Sequence, residues 1–163
     1  MIKKRIISEN KIALKYIIGL MIIISLVGCK TYSDEDHSKF DSTIQNFITK
    51  NKQSGYEKSE SGLYFKIIDE GKGNFIKLTD EVNFNYVGKL LNGNTFDGEH
   101  KKNPISFQMK DLIEGWKEGM MYLKPGGKIK LIVPPYLGYG DYKLEKIPPH
   151  SILYFEIEVI DVK

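Results

Sequence analysis

The chain has 163 residues, 41% of them hydrophobic and 28% charged, enough for one ordinary globular domain with extensions. Its formal charge of +3 is concentrated at the start, where residues 1–28 hold five basic side chains against Glu9 alone, and the remainder carries 19 basic and 20 acidic groups. No concentrated basic face is left for phosphate, which excludes nucleic-acid binding by bulk charge, and the single cysteine excludes an internal disulfide.

Lys3, Lys4 and Arg5 open the chain and an apolar run over residues 16–27 follows. Its length suits the core of a secretory signal and is short for a membrane span. The run ends in Leu26-Val27-Gly28-Cys29, which resembles a bacterial lipobox, where the signal is cut before cysteine and the thiol is acylated. Residues 1–28 are therefore expected to be a lipoprotein signal peptide, with Cys29 the lipidation site; a signal anchor with a chance cysteine is the alternative. Each buried acyl methylene adds about 0.8 kcal/mol of membrane affinity. Residues 30–36 are small, polar and acidic, as in a spacer, and Ser33-Asp34-Glu35-Asp36 resembles the surface-export signals of Bacteroidetes lipoproteins. Phe40, Ile44, Phe47 and Ile48 recur at helical spacing and predict an amphipathic helix over residues 38–50, packed on the domain or on a partner. Residues 51–61 read as a polar linker, so 29–61 is taken as an acidic linker with its helix.

At Gly62 the period changes to two. Leu63, Phe65 and Ile67 alternate with Tyr64, Lys66 and Ile68, and the glycines at 71 and 73 turn the chain. Val82, Phe84 and Tyr86 mark a second strand, and Asn92-Gly93 predicts a hairpin returning through Thr95-Phe96-Asp97. A short strand from Ile105 follows. Asp111 to Met120 then reads as a short helix holding the only tryptophan, with Asp111 as N-cap, Glu114 closing a capping box, and Ile113, Trp116 and Met120 on one face. Gly115 and Gly119 each weaken such a helix by about 1 kcal/mol relative to alanine, so packing must hold it and close backbone approach is expected. Ile129, Leu131 and Val133 form another strand, and after a Tyr- and Gly-rich loop Leu153, Phe155, Ile157 and Val159 form the last. The expectation is an α+β fold: about five antiparallel strands curled over one short helix, over residues 62–163.

The usual catalytic engines are missing. His37, His100 and His150 are scattered without metal-ligand spacing or a cysteine companion, and Gly138-Tyr139-Gly140 is too short for a phosphate loop. No metal and no cofactor is expected. What remains is a set of aromatics near strand ends, with one acid among them; taken alone, Trp116, Tyr86, Phe96 and Phe155 read as core, and Asp97 as a solvated turn residue.

Phe84-Asn85-Tyr86-Val87-Gly88, Gly93-Asn94-Thr95-Phe96-Asp97, Ile113-Glu114-Gly115-Trp116-Lys117-Glu118-Gly119, Leu137-Gly138-Tyr139-Gly140 and Ile147-Pro148-Pro149-His150-Ser151-Ile152-Leu153 with Phe155 resemble, in order and spacing, the successive motifs of the FKBP family of peptidyl-prolyl cis/trans isomerases. The resemblance covers residues 62–163, and a lipobox before such a domain is similar to FKBP-type lipoproteins of Bacteroidetes. It implies an FKBP-like fold and a pocket floored by Trp116 and walled by Tyr86, Phe96, Ile105, Phe107, Leu112, Ile113, Ile147 and Phe155. Asp97 would accept a hydrogen bond from Tyr86, and Tyr139 would donate one to the substrate carbonyl; Asp97, Trp116 and Tyr139 are the implied catalytic set. Ile105 stands where many members have phenylalanine. Implied partners are proline-containing polypeptides, a membrane through Cys29, and the family's macrolide inhibitors; the implied location is the cell envelope. A non-catalytic chaperone or scaffold of the same shape, and a structural lipoprotein docked through residues 38–50, are the competing readings.

Overall fold

The computed structural model describes residues 32–98 and 104–163; the signal-like run, Cys29 and His100 lie outside the described residues. Asp34–Lys163 form one compact unit. It opens with helix α1, Asp34–Lys50, which begins four residues earlier than the apolar spacing predicts. The reason is electrostatic: Asp34, Glu35 and Asp36 fill its first turn, where the positive end of the helix dipole favours acids, and Lys50 sits in the last. Residues 34–36, which read as the end of the spacer, are therefore helix.

Among the described residues seven strands follow, all paired antiparallel: β1 Glu57–Lys58, β2 Tyr64–Asp69, β3 Glu81–Leu90, β4 Thr95–Asp97, β5 Ile105–Gln108, β6 Lys128–Val133 and β7 Leu153–Val162. Their order is β1-β2-β6-β7-β3-β4, with β5 sharing the β4 edge of β3. The curled antiparallel sheet agrees with the expected α+β class. The sequence reading missed β1, two residues inside its polar linker, because a strand so short carries no periodicity.

Helix α2, Glu114–Met121, packs on the inner face of the sheet. Its start departs from expectation. Asp111 belongs to a separate 3₁₀ turn, Met109–Asp111, and the N-cap is Ile113, whose side chain makes no capping hydrogen bond. With no capping oxygen, α2 owes its position to packing. A Cβ on Gly115 would lie 2.7 Å from Val133, and one on Gly119 2.6 Å from Leu131, so both glycines are there to let α2 approach β6.

The period-two pattern sorts side chains between two cores. Phe65, Leu131 and Phe155 are cross-strand neighbours facing inward, and one residue along each strand Tyr64, Ile132 and Tyr154 face outward. The outward row is covered by α1, whose Ile44 is 1% exposed. At about 25 cal/mol per Å² of apolar surface, burying that one side chain is worth roughly 2 kcal/mol.

Candidate active site

Strand β3 presents Phe84 and Tyr86 to the inner face, two residues apart, and both meet the Trp116 indole. The ring centroids lie 5.3 Å apart at 78° for Phe84 and 4.9 Å apart at 76° for Tyr86. From β7, Phe155 meets the same indole at 4.9 Å and 87°. All three are edge-to-face arrangements, the geometry that ring quadrupoles favour. Phe96 stands on Phe155 in turn, at 5.7 Å and 88°. What admits Phe96 is Gly88, paired in register with Phe155, since a Cβ there would lie 2.6 Å from the Phe96 ring.

The cluster has a polar edge. The Tyr86 hydroxyl donates to Asp97 Oδ2 at 2.5 Å, and the Gly98 amide donates to Oδ1 at 2.8 Å. Burial, then the hydrogen bond and negative charge of Asp97, raises the Tyr86 pKa well above its ordinary value. Burial and the same charge also raise that of Tyr139. Both phenols therefore stay neutral and able to donate across the physiological range. Tyr139 leaves the 3₁₀ turn Pro135–Leu137 and is held by bonds from the Gly140 amide to the Pro135 carbonyl at 2.9 Å and from the Tyr142 amide to its own carbonyl at 3.1 Å.

Of the residues singled out in the sequence, the structure joins Tyr86, Phe96, Trp116 and Phe155 in one ring cluster with Asp97 at its edge. Ile105, Leu112, Ile113 and Tyr139 are half-buried against the same core, and Ile147 is buried in it. Phe107 lies at the margin, 47% exposed, its ring 6.4 Å from Phe84. Trp116 itself keeps 7% exposure, and its neighbours Tyr86 and Phe96 are half-buried. Its indole nitrogen is buried with no hydrogen-bond partner among the described residues. Phe84 escaped the sequence reading as a site residue, although its place two residues before Tyr86 on one strand face was signal enough.

A sequence model of the FKBP-type peptidyl-prolyl cis-trans isomerases matches residues 72–160. The chain belongs to that family. The FKBP-type isomerase FkpA of Buchnera aphidicola from Schizaphis graminum is 48% identical over 111 residues, covering 67% of this chain and 44% of that protein. FkpA of Escherichia coli K12 is 42% identical over 113 residues, or 69% of this chain and 42% of the relative. The chain thus spans less than half the length of these curated FKBP relatives. The crystal structure of Escherichia coli FkpA superposes with a TM-score of 0.69 at 33% identity, covering 94% of this chain and 72% of that one. AtFKBP13 gives 0.60 at 33% identity, covering 66% and 98%. The FKBP sequence match takes in β3 to β7 and α2, the elements that carry the ring cluster, and leaves α1, β1 and β2 outside it.

Proposed function

We propose that this chain is a peptidyl-prolyl cis/trans isomerase acting on X-Pro bonds of exported proteins, with Trp116, Tyr86, Phe96, Phe155 and their half-buried neighbours as the substrate surface. The observation that carries the reading is the convergence of four edge-to-face rings with a neutral phenol pair at their edge. Rotation about an X-Pro bond meets a barrier of roughly 18–20 kcal/mol because amide resonance is lost at the twisted midpoint. That midpoint has less charge separation than the planar amide, so an apolar, ring-lined surface favours it over the ground state. Each 1.36 kcal/mol of such preference is worth about tenfold in rate. The proline ring would lie on the Trp116 floor between Tyr86 and Phe96. Tyr139 would donate to the carbonyl before the rotating bond and so fix which end turns. Asp97 acts by orienting Tyr86, for no proton moves in the reaction.

The test is a protease-coupled isomerisation assay on the purified chain with a cis-proline peptide. Wild type should accelerate the trans conversion, and Tyr139→Phe should lower kcat/KM about fivefold, the scale of one hydrogen bond. If wild type leaves the uncatalysed rate unchanged while still suppressing aggregation of an unfolded client, the reading as a binding module replaces this one. The same proposal includes export and anchoring at the cell envelope through an acylated Cys29, supported by the lipobox-like Leu26-Val27-Gly28-Cys29. Labelling with a fatty-acid analogue should mark wild type and spare Cys29→Ala; an unlabelled wild-type protein overturns the anchor.

A further inference from the structure

Helix α1 lies outside residues 72–160, the stretch that the FKBP family model matches, yet it reaches the loop that carries Tyr139. The contact is made by its first two turns. The imidazole of His37 lies 4.1 Å from the ring of Tyr136 at an interplanar angle of 36°, and Phe40 lies 6.3 Å from the same ring at 48°. On another side the Tyr136 hydroxyl sits over Gly62, where a Cβ would overlap it. Gly62 adopts φ +91°, a conformation glycine takes without strain, so the chain ahead of β2 is shaped around this phenol.

Tyr136 is the middle residue of the 3₁₀ turn Pro135–Leu137, three positions before Tyr139. Between them the chain has little freedom. Leu137 donates to the Pro134 carbonyl at 3.0 Å, and Gly138 and Gly140 both donate to that of Pro135, at 3.0 and 2.9 Å. Pro135 is itself buried. A displacement of the Tyr136 ring is therefore carried by the turn into the backbone of Tyr139. The helix that packs on Tyr136 is fixed to the sheet through its middle, with Ile44 under Tyr64, Ile132 and Tyr154, the Tyr64 hydroxyl donating to Asp41 at 2.5 Å, and Lys58 paired with Asp41. The middle of α1 is thus anchored to the sheet, while its first two turns rest on Tyr136 of the site loop.

We propose that His37 and Phe40 are positioning residues for the isomerase site, acting through Tyr136 to set where the Tyr139 hydroxyl stands. The proposal rests on the role given to Tyr139 above, but its structural half can be measured without activity. Cutting back two aromatic contacts should loosen the turn by about tenfold, the scale of one or two ring pairs.

In the full chain, the double variant His37→Ala/Phe40→Ala is compared with wild type by amide hydrogen exchange and by isomerisation kinetics. Exchange at Gly138 and Gly140 should quicken about tenfold while amides of β6 and β7 keep wild-type rates, and Phe40→Leu, which retains bulk, should restore most of the protection. Unchanged exchange at those two amides overturns the proposal, whatever the activity. Kinetically, kcat/KM should fall about fivefold in an otherwise wild-type chain and hardly at all in a Tyr139→Phe chain, because the two changes act through one hydroxyl. An equal loss in both backgrounds also overturns it, since it would mark a structural defect without reference to Tyr139. An inactive wild type, or a Tyr139→Phe variant as active as wild type, would count against the proposed function and leave the exchange result to decide the brace.

Discussion

At the scale of single residues the site is made by absences as much as by rings. Gly88 is where β3 has no side chain so that Phe96 can lean on Phe155, and the cost of filling that gap can be stated. Gly88→Ala would bring a methyl within 2.6 Å of Phe96 and 2.9 Å of Phe155, so one ring must leave its edge-to-face seat. Overpacking of this kind costs about 1–3 kcal/mol. The expected outcome is a lower Tm together with a loss of kcat/KM larger than that from Phe96→Leu; a variant with unchanged melting and turnover would show that Phe96 does not shape the surface. Tyr86→Phe tests the polar edge. It removes the donor to Asp97, leaves the ring on Trp116, and should cost about 1.5–3 kcal/mol at most in stability, the range for a bond to a charged acceptor, less what solvent at the exposed Asp97 returns. With Tyr86 intact, Asp97→Asn should cost less than Tyr86→Phe in thermal melting, because an amide oxygen can still accept from the phenol but without the charge.

At the scale of elements, α2 and α1 show two ways in which packing overrides local preference. In α2 a change that improves helix propensity should destabilise the protein. Gly119→Ala gains about 1 kcal/mol of intrinsic helicity, but its methyl would lie 2.6 Å from Leu131 in the middle of the core. A net loss of about 1–2 kcal/mol in denaturant melting is expected, and a net gain would mean that β6 yields more readily than its burial suggests. The close approach was legible because glycine sacrifices helicity, and two glycines on one face of a helical pattern mark where a neighbouring strand must come near. The cap was not. Asp111 and Glu114 have capping-box spacing, but Leu112 and Ile113 are extended and the chain spends Met109–Asp111 on a separate 3₁₀ turn, which puts Asp111 three residues ahead of α2. Spacing cannot distinguish a cap from an acid in a preceding turn when tertiary contacts at Met109 and Leu112 decide the path. For α1 the apolar positions gave the buried stripe, while its true start depended on acids that also suit a solvated spacer. Tyr64 is a similar case. Period two gave its face, but only the presence of α1 tells that this outward face is buried.

At the scale of the whole molecule, one sheet serves two cores of different character. The inner is built of rings and aliphatic side chains around Trp116, whereas the outer, beneath α1, gathers phenols and carboxylates: Tyr64 with Asp41, and Tyr154 donating to Glu156 at 2.7 Å, which also accepts from Lys130 at 3.1 Å. The pH dependence of stability should therefore report on the α1 layer. Burial alone would raise the pKa values of Asp41 and Glu156, but hydrogen bonds from Tyr64 and Lys58 in one case, and from Tyr154 and Lys130 in the other, outweigh it and hold both below their ordinary 3.8 and 4.5. Their contribution is complete above those unfolded values and is lost as pH falls through the lower folded ones. On the alkaline side burial pushes Tyr56 and Tyr64 up to about 12, and Tyr154 higher still, from an ordinary 10.0. Below pH 10 these phenols are neutral in folded and unfolded chains alike. Above it the unfolded chain releases protons that the folded one retains, so stability should fall with rising pH from about 10 through the folded pKa values. Melting measured across the range should give a plateau between roughly pH 5 and 9 with a decline on each side. Tyr64→Phe and Tyr154→Phe should each flatten the alkaline decline, and Ile44→Ala, which costs about 2–5 kcal/mol by opening the outer core, should flatten it further by exposing all three phenols at once. An alkaline slope identical in wild type and all three variants would mean that the titrating groups lie elsewhere, with Tyr86 beside Asp97 the next to test.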